Sequence, residues 1–325
     1  MIEGTAQLYE IHGLIVESEI VLHAGAAHPG AVPDYRVQVG APVDCPPSPP
    51  PGRLLGGFGD DGFGYWVTED PQEPSRWTIR YAGICQAELD REARTLTVHG
   101  AVGGEPGMLP VFLEGSLLAH VLAAQGLLVL HASAVELGGE ALAIVGPSGW
   151  GKSTLAALFC AAGAQLVADD ALRVDVSGSR ATCFPGSRRL RLREAAASLG
   201  RAIDGAAVTE TVDGRTAVRP AALVDRPLAL RAALIPQPSR EATRLEVDRL
   251  GPTEAVQELL SYPRLARWQA PEQIGRLFGL TADVAAAVPV YRATVPWGPP
   301  FPAGLAEELF ASVGFDAASR RGQSA

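Results

Sequence analysis

The sequence predicts an α/β protein with a mainly β N-terminal domain, residues 1–107, and a C-terminal domain, residues 108–325, that contains a phosphate-binding loop. Three observations lead to this prediction. The first hundred residues alternate apolar and polar side chains, which is the pattern of half-buried strands. From Met108 onward, apolar residues recur every three or four positions, as they do on one face of a helix. An apolar strand pattern then runs directly into GPSGWGKS, residues 146–153.

The composition is typical of a compact protein with two domains. The chain has 325 residues, of which 47% are apolar and 19% are charged. Its net charge of -9 argues against a nucleic-acid partner, because phosphate backbones attract basic surfaces. The N-terminus lacks a secretory or transit pattern, and polar residues interrupt every apolar stretch that approaches the length of a membrane span. We therefore expect a cytoplasmic protein with no nucleic-acid or membrane partner, and a homo-oligomer is left open.

In the N-terminal domain, five segments with alternating polarity are predicted strands: YEIHGLIVES, EIVLHA, YWVTED, WTIRYAG and LTVHGAVGG. Two turn-rich breaks separate some of them. Residues 45–51, CPPSPPP, are predicted to form a proline-dense loop, and residues 56–64, GGFGDDGFG, a glycine-rich turn. This domain is therefore predicted to be mainly β.

The C-terminal domain is predicted to begin with the helix from Met108. The segment LLVLHASAVEL, a turn at Gly138 and Gly139, and ALAIVG then predict a hairpin whose second strand enters the loop. A helix over residues 153–162, ended by Gly163, follows the loop, and QLVADD is a short buried strand. Further helices are predicted over residues 252–261, 271–278, 281–287 and 302–313.

The pattern G-x-x-x-x-G-K-[ST] is met between an apolar strand and a helix, which is the context that the motif requires. Glycines let backbone N–H groups turn inward around a β-phosphate, and the helix N-terminus adds positive potential. Lys152 is expected to neutralise the β- and γ-phosphates, and the Ser153 hydroxyl to ligate Mg²⁺. The predicted cofactors are ATP and Mg²⁺. The predicted nucleotide-binding residues are Gly146, Pro147, Ser148, Gly149, Trp150, Gly151, Lys152, Ser153 and Thr154.

Two acidic residues, Asp169 and Asp170, end the strand that follows the loop helix. In a parallel sheet the two strand ends would lie side by side, so a carboxylate here would reach the γ-phosphate region. Because side chains alternate along a strand, the two aspartates are expected to have different roles. We predict that Asp169 is the base for an acceptor hydroxyl and that Asp170 supports the metal. For Trp150, a cover over the nucleotide and a packing residue on the surface both remain open.

A histidine, His131, lies in LHASAVEL, before the strand that enters the loop. A lone histidine in an apolar strand is more often a satisfied core residue. Together, however, LHASAVEL, GPSGWGKST and AQLVADDALRV resemble the nucleotide domain of the HPr kinase/phosphorylase family. That resemblance implies the P-loop fold variant shared with phosphoenolpyruvate carboxykinases, and phosphorylation of a seryl hydroxyl on a protein. It also places His131 beside the transferred phosphate and makes Asp169 the base, so the predicted catalytic residues are Asp169, His131 and Lys152.

The specific part of this resemblance covers about residues 130–174. Where the family has a Glu-x-Arg-Gly segment that supplies a metal carboxylate, this chain has PGSRR at residues 185–189. The N-terminal region looks more like the HPr-kinase-related enzymes of modified-peptide gene clusters, which include lasso-peptide kinases that phosphorylate a precursor peptide. Arg188, Arg189 and Arg215 are candidate phosphate or substrate contacts, and Arg191 and Arg193 belong to the same basic run.

The leading hypothesis is therefore an ATP-dependent kinase that transfers the γ-phosphoryl group to a serine-type hydroxyl of a peptide or protein. A ribosomally made precursor peptide is one candidate acceptor. The main alternative is a small-molecule P-loop kinase, since sugar and shikimate-type kinases also use an aspartate after this strand. The third hypothesis is an ATP-binding regulator without transfer activity. Lys152, Ser153 and the paired aspartates argue against it, because a sensor needs no base.

Overall fold

The computed structural model describes residues 6–60 and 62–315, and the chain divides into two compact units. Unit 1 consists of Met1–Leu127 and Leu265–Phe278, and unit 2 consists of Leu128–Arg264 and Gly279–Ala325. Large sheets and several helices make up the described residues. The predicted α/β class is confirmed at this level. None of the described helices is both long enough and apolar enough to cross a membrane.

Unit 1 is built on a nine-stranded sheet with the spatial order β3-β1-β2-β4-β9-β8-β7-β6-β5. The strands from β5 to β9 form an antiparallel meander, and β4 pairs in parallel with both β2 and β9. Their bounds are β1 (Gln7–Ile11), β2 (Leu14–Ser18), β3 (Gly25–Ala26), β4 (Tyr35–Val43), β5 (Arg53–Asp60), β6 (Phe63–Glu69), β7 (Arg76–Tyr81), β8 (Cys85–Asp90) and β9 (Thr95–Ala101).

Two predictions for this sheet are wrong. The segment EIVLHA, residues 19–24, is not a strand, because Ser18 Oγ bonds to both the N–H and the carbonyl of Ile20 and turns the chain. Most of the glycine-rich segment is strand rather than turn, since β5 continues to Asp60. A Cβ on Gly59 would lie 2.3 Å from Cζ2 of Trp66, so glycine is needed there for close packing. Asp61 lies outside the described residues.

The predicted helix from Met108 is present as α1 (Met108–Phe112), a π-helical turn (Leu113–Leu117) and α2 (Leu118–Ala124). It belongs to unit 1, so the boundary predicted between residues 107 and 108 falls inside that unit. The Phe112 ring packs edge-on against Tyr81, with centroids 5.0 Å apart. The buried Glu114 carboxylate accepts a hydrogen bond from the backbone N–H of His23 at 2.5 Å. The contacts of this helix with the sheet therefore place it in unit 1.

Unit 2 contains a mixed sheet with the order β10-β14-β15-β19-β12-β11-β13, and β21 and β20 extend it from β19. A separate three-stranded sheet has the order β16-β18-β17. The strands are β10 (Leu128–Leu130), β11 (Ala132–Leu137), β12 (Glu140–Val145), β13 (Gln165–Ala168), β14 (Leu172–Ser177), β15 (Arg180–Cys183), β16 (Leu190–Leu192), β17 (Ala207–Glu210), β18 (Thr216–Arg219), β19 (Leu228–Ser239), β20 (Glu246–Arg249) and β21 (Val290–Pro296).

The helices of unit 2 pack on this sheet around a core in which Phe159 and Phe310 have ring centroids 4.4 Å apart. They are α3 (Lys152–Ala161), a 3₁₀ turn (Glu194–Ala196), α4 (Ala197–Ala202), α5 (Pro252–Ser261), α6 (Pro271–Ala287, of which the first part belongs to unit 1) and α7 (Leu305–Ser312). The helices predicted over residues 271–278 and 281–287 are one continuous helix, α6, because a glycine inside a helix weakens it without ending it.

Candidate functional site

Three chain segments meet at one edge of the unit 2 sheet. Strand β11 pairs antiparallel with both β12 and β13, so it starts at the edge where the other two strands end. His131 directly precedes β11, the glycine loop follows β12, and Asp169 and Asp170 follow β13. The expected side-by-side parallel pairing of β12 and β13 is wrong, because β11 lies between them. The mixed sheet nevertheless brings the predicted residues to the same edge.

The loop at residues 146–153 depends on two glycines in the left-handed region, Gly149 at φ 88° and Gly151 at φ 77°. A Cβ on Gly151 would lie 1.8 Å from Cη2 of Trp297, so the indole leaves room only for glycine. Helix α3 begins immediately afterward, at Lys152. The order of strand, glycine loop and helix, which the sequence predicts, is therefore present.

Lys152 is the only lysine in the chain; all the other cationic side chains, apart from histidine, are arginines. It is 7% exposed, and its Nζ donates a hydrogen bond to the carbonyl of Pro147 at 3.0 Å. The pKa of Lys152 is lowered to about 8, mainly by burial and with a contribution from Arg264, while Asp170 and Asp169 oppose the shift. The ammonium is thus poorly solvated, and a bound anion would stabilise its charged form.

Asp169 is 4% exposed and points into the protein. One carboxylate oxygen, Oδ1, accepts hydrogen bonds from Ser133 Oγ at 2.5 Å and from Ser153 Oγ at 2.8 Å. The other, Oδ2, accepts one from the backbone N–H of Arg191 at 3.1 Å. Burial raises the pKa of Asp169, and these hydrogen bonds partly offset that effect. The carboxylate therefore lies against the hydroxyl of the loop serine.

Asp170 has a left-handed backbone, with φ 71°, and its side chain is 39% exposed. Its Oδ1 is 3.3 Å from Nε2 of His131, and its Oδ2 is 2.9 Å from Nη2 of Arg264. Burial acts to raise the pKa of Asp170, but Arg264, His131 and Lys152 together hold it well below its usual range. Burial also lowers the pKa of His131, which favours a neutral imidazole. Asp170 is therefore an ionised carboxylate held between the His131 imidazole and the Arg264 guanidinium.

The two aspartates have different surroundings, as expected, but their placement favours the opposite assignment of the two predicted roles. Asp169, the predicted base, bonds to Ser153, whereas Asp170, the predicted metal support, lines an open cleft. Alternation along a strand predicts only that the two side chains differ in direction, and it does not say which of them faces the cleft. Strand β13 ends at Ala168, so the left-handed backbone of Asp170 sets the direction of its side chain.

A cleft of about 310 Å³ opens between these segments. Asp170 is its only lining carboxylate among the described residues. Asp213, just outside, is paired with Arg191 and, at 3.3 Å, with Arg215. Five cationic side chains line the cleft: Lys152, Arg191, Arg193, Arg215 and Arg240. Its charge therefore suits a polyanionic ligand.

The cleft contains many of the residues proposed from the sequence. Arg215 is at its wall, but Arg188 and Arg189 are not among the lining residues. The Trp150 ring lies 6.4 Å from that of Tyr262, outside the cleft lining. Of the predicted loop residues, Ser148, Gly149, Gly151, Lys152, Ser153 and Thr154 line the cleft, whereas Gly146, Pro147 and Trp150 do not.

Sequence reasoning missed four residues of this site. Ser133 carries a weak signal, because it lies two positions after His131 and so shares its side of β11. Trp297, Arg240 and Arg264 follow distant elements, and nothing in their local sequence connects them to the loop. Arg264 is positioned by its own N–H, which donates to the carbonyl of Val129 at 2.9 Å.

Comparison with known proteins gives little further information. No protein-family model matches the chain. No curated protein matches it either. Among solved structures, it is similar to the Hpr(Ser) kinase/phosphatase from Coxiella burnetii, with a TM-score of 0.30 and 12% identity over 57% of this chain and 93% of that chain. A TM-score of 0.30 is too low to establish a shared fold.

Proposed function

We propose that this protein is a kinase that uses ATP and Mg²⁺ to phosphorylate a serine-type hydroxyl of a peptide or protein. One observation carries the proposal: Lys152 of the glycine loop, Ser153, whose hydroxyl bonds to the buried Asp169, and the Asp170–His131 pair line one cationic cleft. This set provides phosphate binding, oxygen ligands for a metal and a carboxylate open to an acceptor. The resemblance of residues 130–174 to HPr kinases supports a seryl acceptor.

The donor atoms at Ser153 fit a magnesium ion that arrives with a nucleotide. A hydroxyl and a carboxylate oxygen, from Ser153 and Asp169, are hard ligands that lie within hydrogen-bond distance of each other. Within residues 6–60 and 62–315, no group of three or more His, Cys, Asp or Glu side chains is placed to hold a metal alone. Magnesium commonly takes one or two protein ligands and completes its shell with phosphate and water. When bound, it would neutralise charge on the β- and γ-phosphates.

The protein groups have separate roles in this transfer. Lys152 and the N–H groups of the loop bind and orient the phosphates. Asp170 accepts the proton of the acceptor hydroxyl. As the hydroxyl oxygen bonds to the γ-phosphorus, the bond between that phosphorus and the β–γ bridging oxygen breaks, and ADP leaves with the bridging oxygen. His131 holds Asp170 in position through the 3.3 Å contact. An ionised carboxylate of low pKa suffices here, because phosphoryl transfer depends mainly on positioning and charge neutralisation.

The direct experiment is incubation of the full chain with γ-labelled ATP, Mg²⁺ and candidate acceptors, with Lys152→Ala as the inactive control. Serine-containing peptides and proteins are expected to become labelled. Transfer only to small hydroxyl compounds would favour a small-molecule kinase. ATP binding without transfer to any acceptor would favour a regulator, and the kinase proposal would be wrong.

The two aspartates give a sharper test, since each is replaced by its isosteric amide. Asp170→Asn is expected to lower kcat by roughly 10²–10⁴-fold, the usual contribution of an acid–base group, with little change in nucleotide affinity. Asp169→Asn is expected to raise the Mg²⁺ concentration needed for half-maximal activity, because it weakens the oxygen pair with Ser153. If Asp169→Asn lowers kcat and Asp170→Asn raises the Mg²⁺ requirement, the roles predicted from the sequence are the correct ones.

A further inference from the structure

An apolar groove of about 790 Å³ lies beside the cationic cleft in unit 2. Its walls include Leu158, Leu199 and Phe301, which pack on the unit 2 core with part of each side chain left exposed. No Lys, Arg or His is among the described residues that line it. The groove is therefore mainly apolar, with Glu307 as its one charged lining residue among those described, whereas the cleft is cationic.

The groove and the cleft form a continuous path. Ala195 and Pro299 line both of them. Helix α3 connects them as well: Thr154 lines the cleft, and Leu158 and Ala161, four and seven positions further along, share its face and line the groove. Seven residues of helix rise by about 10 Å. A ligand that follows α3 would thus pass from the phosphate loop into apolar surroundings.

The cleft alone suits only the phosphates of a nucleotide. Its volume of about 310 Å³ is at the lower end of small-molecule pockets, which span roughly 300–1,000 Å³. Charged groups dominate its walls, and its aromatic side chain, Trp297, already covers Gly151. The Phe301 ring of the groove lies edge-on to Trp297, with ring centroids 5.3 Å apart. The nearest flat apolar surface open to a base is therefore in the groove.

We propose that this groove binds the purine base of the nucleotide whose phosphates occupy the cleft. The inference rests on the proposed function for the phosphates, and it adds the location of the base along α3. Leu158 and Leu199 contribute apolar surface, and Phe301 contributes an aromatic ring for contact with the base. Inorganic tripolyphosphate, which has the phosphates without the base, uses only the cleft.

The test compares an imido analogue of ATP with inorganic tripolyphosphate, both with Mg²⁺, by isothermal titration calorimetry on the full chain. Ala161→Trp fills the groove from an exposed position of α3. It is expected to weaken binding of the ATP analogue by about tenfold or more and to change tripolyphosphate binding by less than about twofold. The matched control is Ala311→Trp, an exposed position of α7 outside the groove, which should alter neither.

Leu199→Ser removes apolar surface from the groove at a residue of α4, and it decides the question if Ala161→Trp fails to fold. If the folded groove variants bind both ligands more weakly by the same factor, or bind both as the wild type does, the inference is overturned. Equal affinity of the wild type for both ligands would overturn it while leaving the phosphate site intact. A wild type that binds neither ligand would instead contradict the proposed function itself.

Discussion

Lys152 shows how much one residue type contributes to this site. The chain uses arginine for 26 of its 27 Lys and Arg positions, yet the cation at the start of α3 is lysine. A guanidinium is planar and broad, whereas an ammonium is a compact point charge. The buried Lys152 donates from Nζ to the Pro147 carbonyl, and its compact charge matches the point-charge role of the motif lysine at a phosphate.

Because Lys152 is the sole lysine, its titration can be observed directly. Reductive methylation with ¹³C-formaldehyde labels Lys152 and the N-terminal amine, and nuclear magnetic resonance should show the lysine signal titrating near the lowered pKa of about 8. Added tripolyphosphate should raise that pKa, since an anion stabilises the ammonium. A signal that titrates at the ordinary value of 10.5 would contradict the buried position.

The same pKa predicts how stability depends on pH. Between about pH 8 and 10.5 the unfolded chain binds this proton more strongly than the folded chain does, so the free energy of unfolding rises with pH there. Below pH 8 the full cost of burying the charge is present, on the order of 3 kcal/mol for a shift of this size. Lys152→Met should remove this contribution, which urea denaturation across the pH range can measure. An unchanged pH dependence in the variant would be inconsistent with it.

Arg264 is expected to control the pH range in which Asp170 is ionised. Arg264→Met removes the guanidinium 2.9 Å from Asp170, so the pKa of that carboxyl should rise toward its usual range. The acidic limb of the kcat profile should then move to higher pH, because transfer requires the ionised carboxylate. Arg264→Lys keeps the charge and should shift the limb less. If the two variants show the same acidic limb, the charge of Arg264 does not control the ionisation of Asp170.

At the scale of elements, the junction of the glycine loop and α3 is fixed by backbone conformation and by one aromatic contact. Gly149 and Gly151 both have left-handed φ angles, but their neighbours differ. A Cβ on Gly149 would be 3.8 Å from its nearest neighbour, Arg193, whereas on Gly151 it would collide with Trp297. The loop therefore combines a conformational requirement at both glycines with a steric requirement at one.

The two glycines allow these requirements to be separated. Gly149→Ala is expected to lower the free energy of unfolding by about 1 kcal/mol, the cost of a left-handed conformation for alanine. Gly151→Ala should lower the free energy of unfolding by about 1–3 kcal/mol more than Gly149→Ala does, because overpacking against Trp297 adds to the conformational cost. The double variant Gly151→Ala/Trp297→Leu should recover part of that excess. Equal losses in the two single variants, measured by urea denaturation, would rule out the steric contribution of Trp297.

At the scale of the whole molecule, the position of the 108–124 helical segment determines where the chain can be divided. Leu109 lies over Gly100 of the unit 1 sheet, where a Cβ would be 3.7 Å from its Cδ1, and Phe112 packs against Tyr81. A second piece of unit 1, Leu265–Phe278, comes from far along the chain, and its Trp268 forms an antiparallel bridge with Gly56. Unit 1 is thus discontinuous in sequence, and neither unit is a single stretch of chain.

Fragments test this division. A fragment of residues 108–325 carries the helical segment without the sheet that buries Leu109 and Phe112, so it should expose apolar surface. It is expected to bind a hydrophobic dye and to aggregate more than a fragment of residues 128–325, the matched control. Both lack the unit 1 sheet and both retain residues 265–278, so the comparison isolates the helix. Equal solubility and dye binding would contradict the placement of this helix in unit 1.

Local patterns were sufficient for many elements. The hairpin β11–β12 followed from its Gly138–Gly139 turn, and α5 from Pro252 at its first position. The glycine loop followed from a motif whose spacing is itself the structural requirement. EIVLHA misled because Ile20 and Leu22 alternate as in a strand while the Ser18 hydroxyl bonds locally and turns the backbone. Alternation indicates which side chains are buried, but a turn can bury the same side chains without forming a strand.

The sequence by itself determined that a glycine loop, one lysine and two aspartates exist with a strand and a helix between them, because these depend on short-range spacing. Only the tertiary structure decided which aspartate faces Ser153 and which faces the cleft. That outcome depends on the left-handed turn at Asp170 and on Arg264, which lies 94 positions away in the chain. Contacts between residues so far apart leave no local pattern, since they form only when the folded sheet brings its edges and loops together.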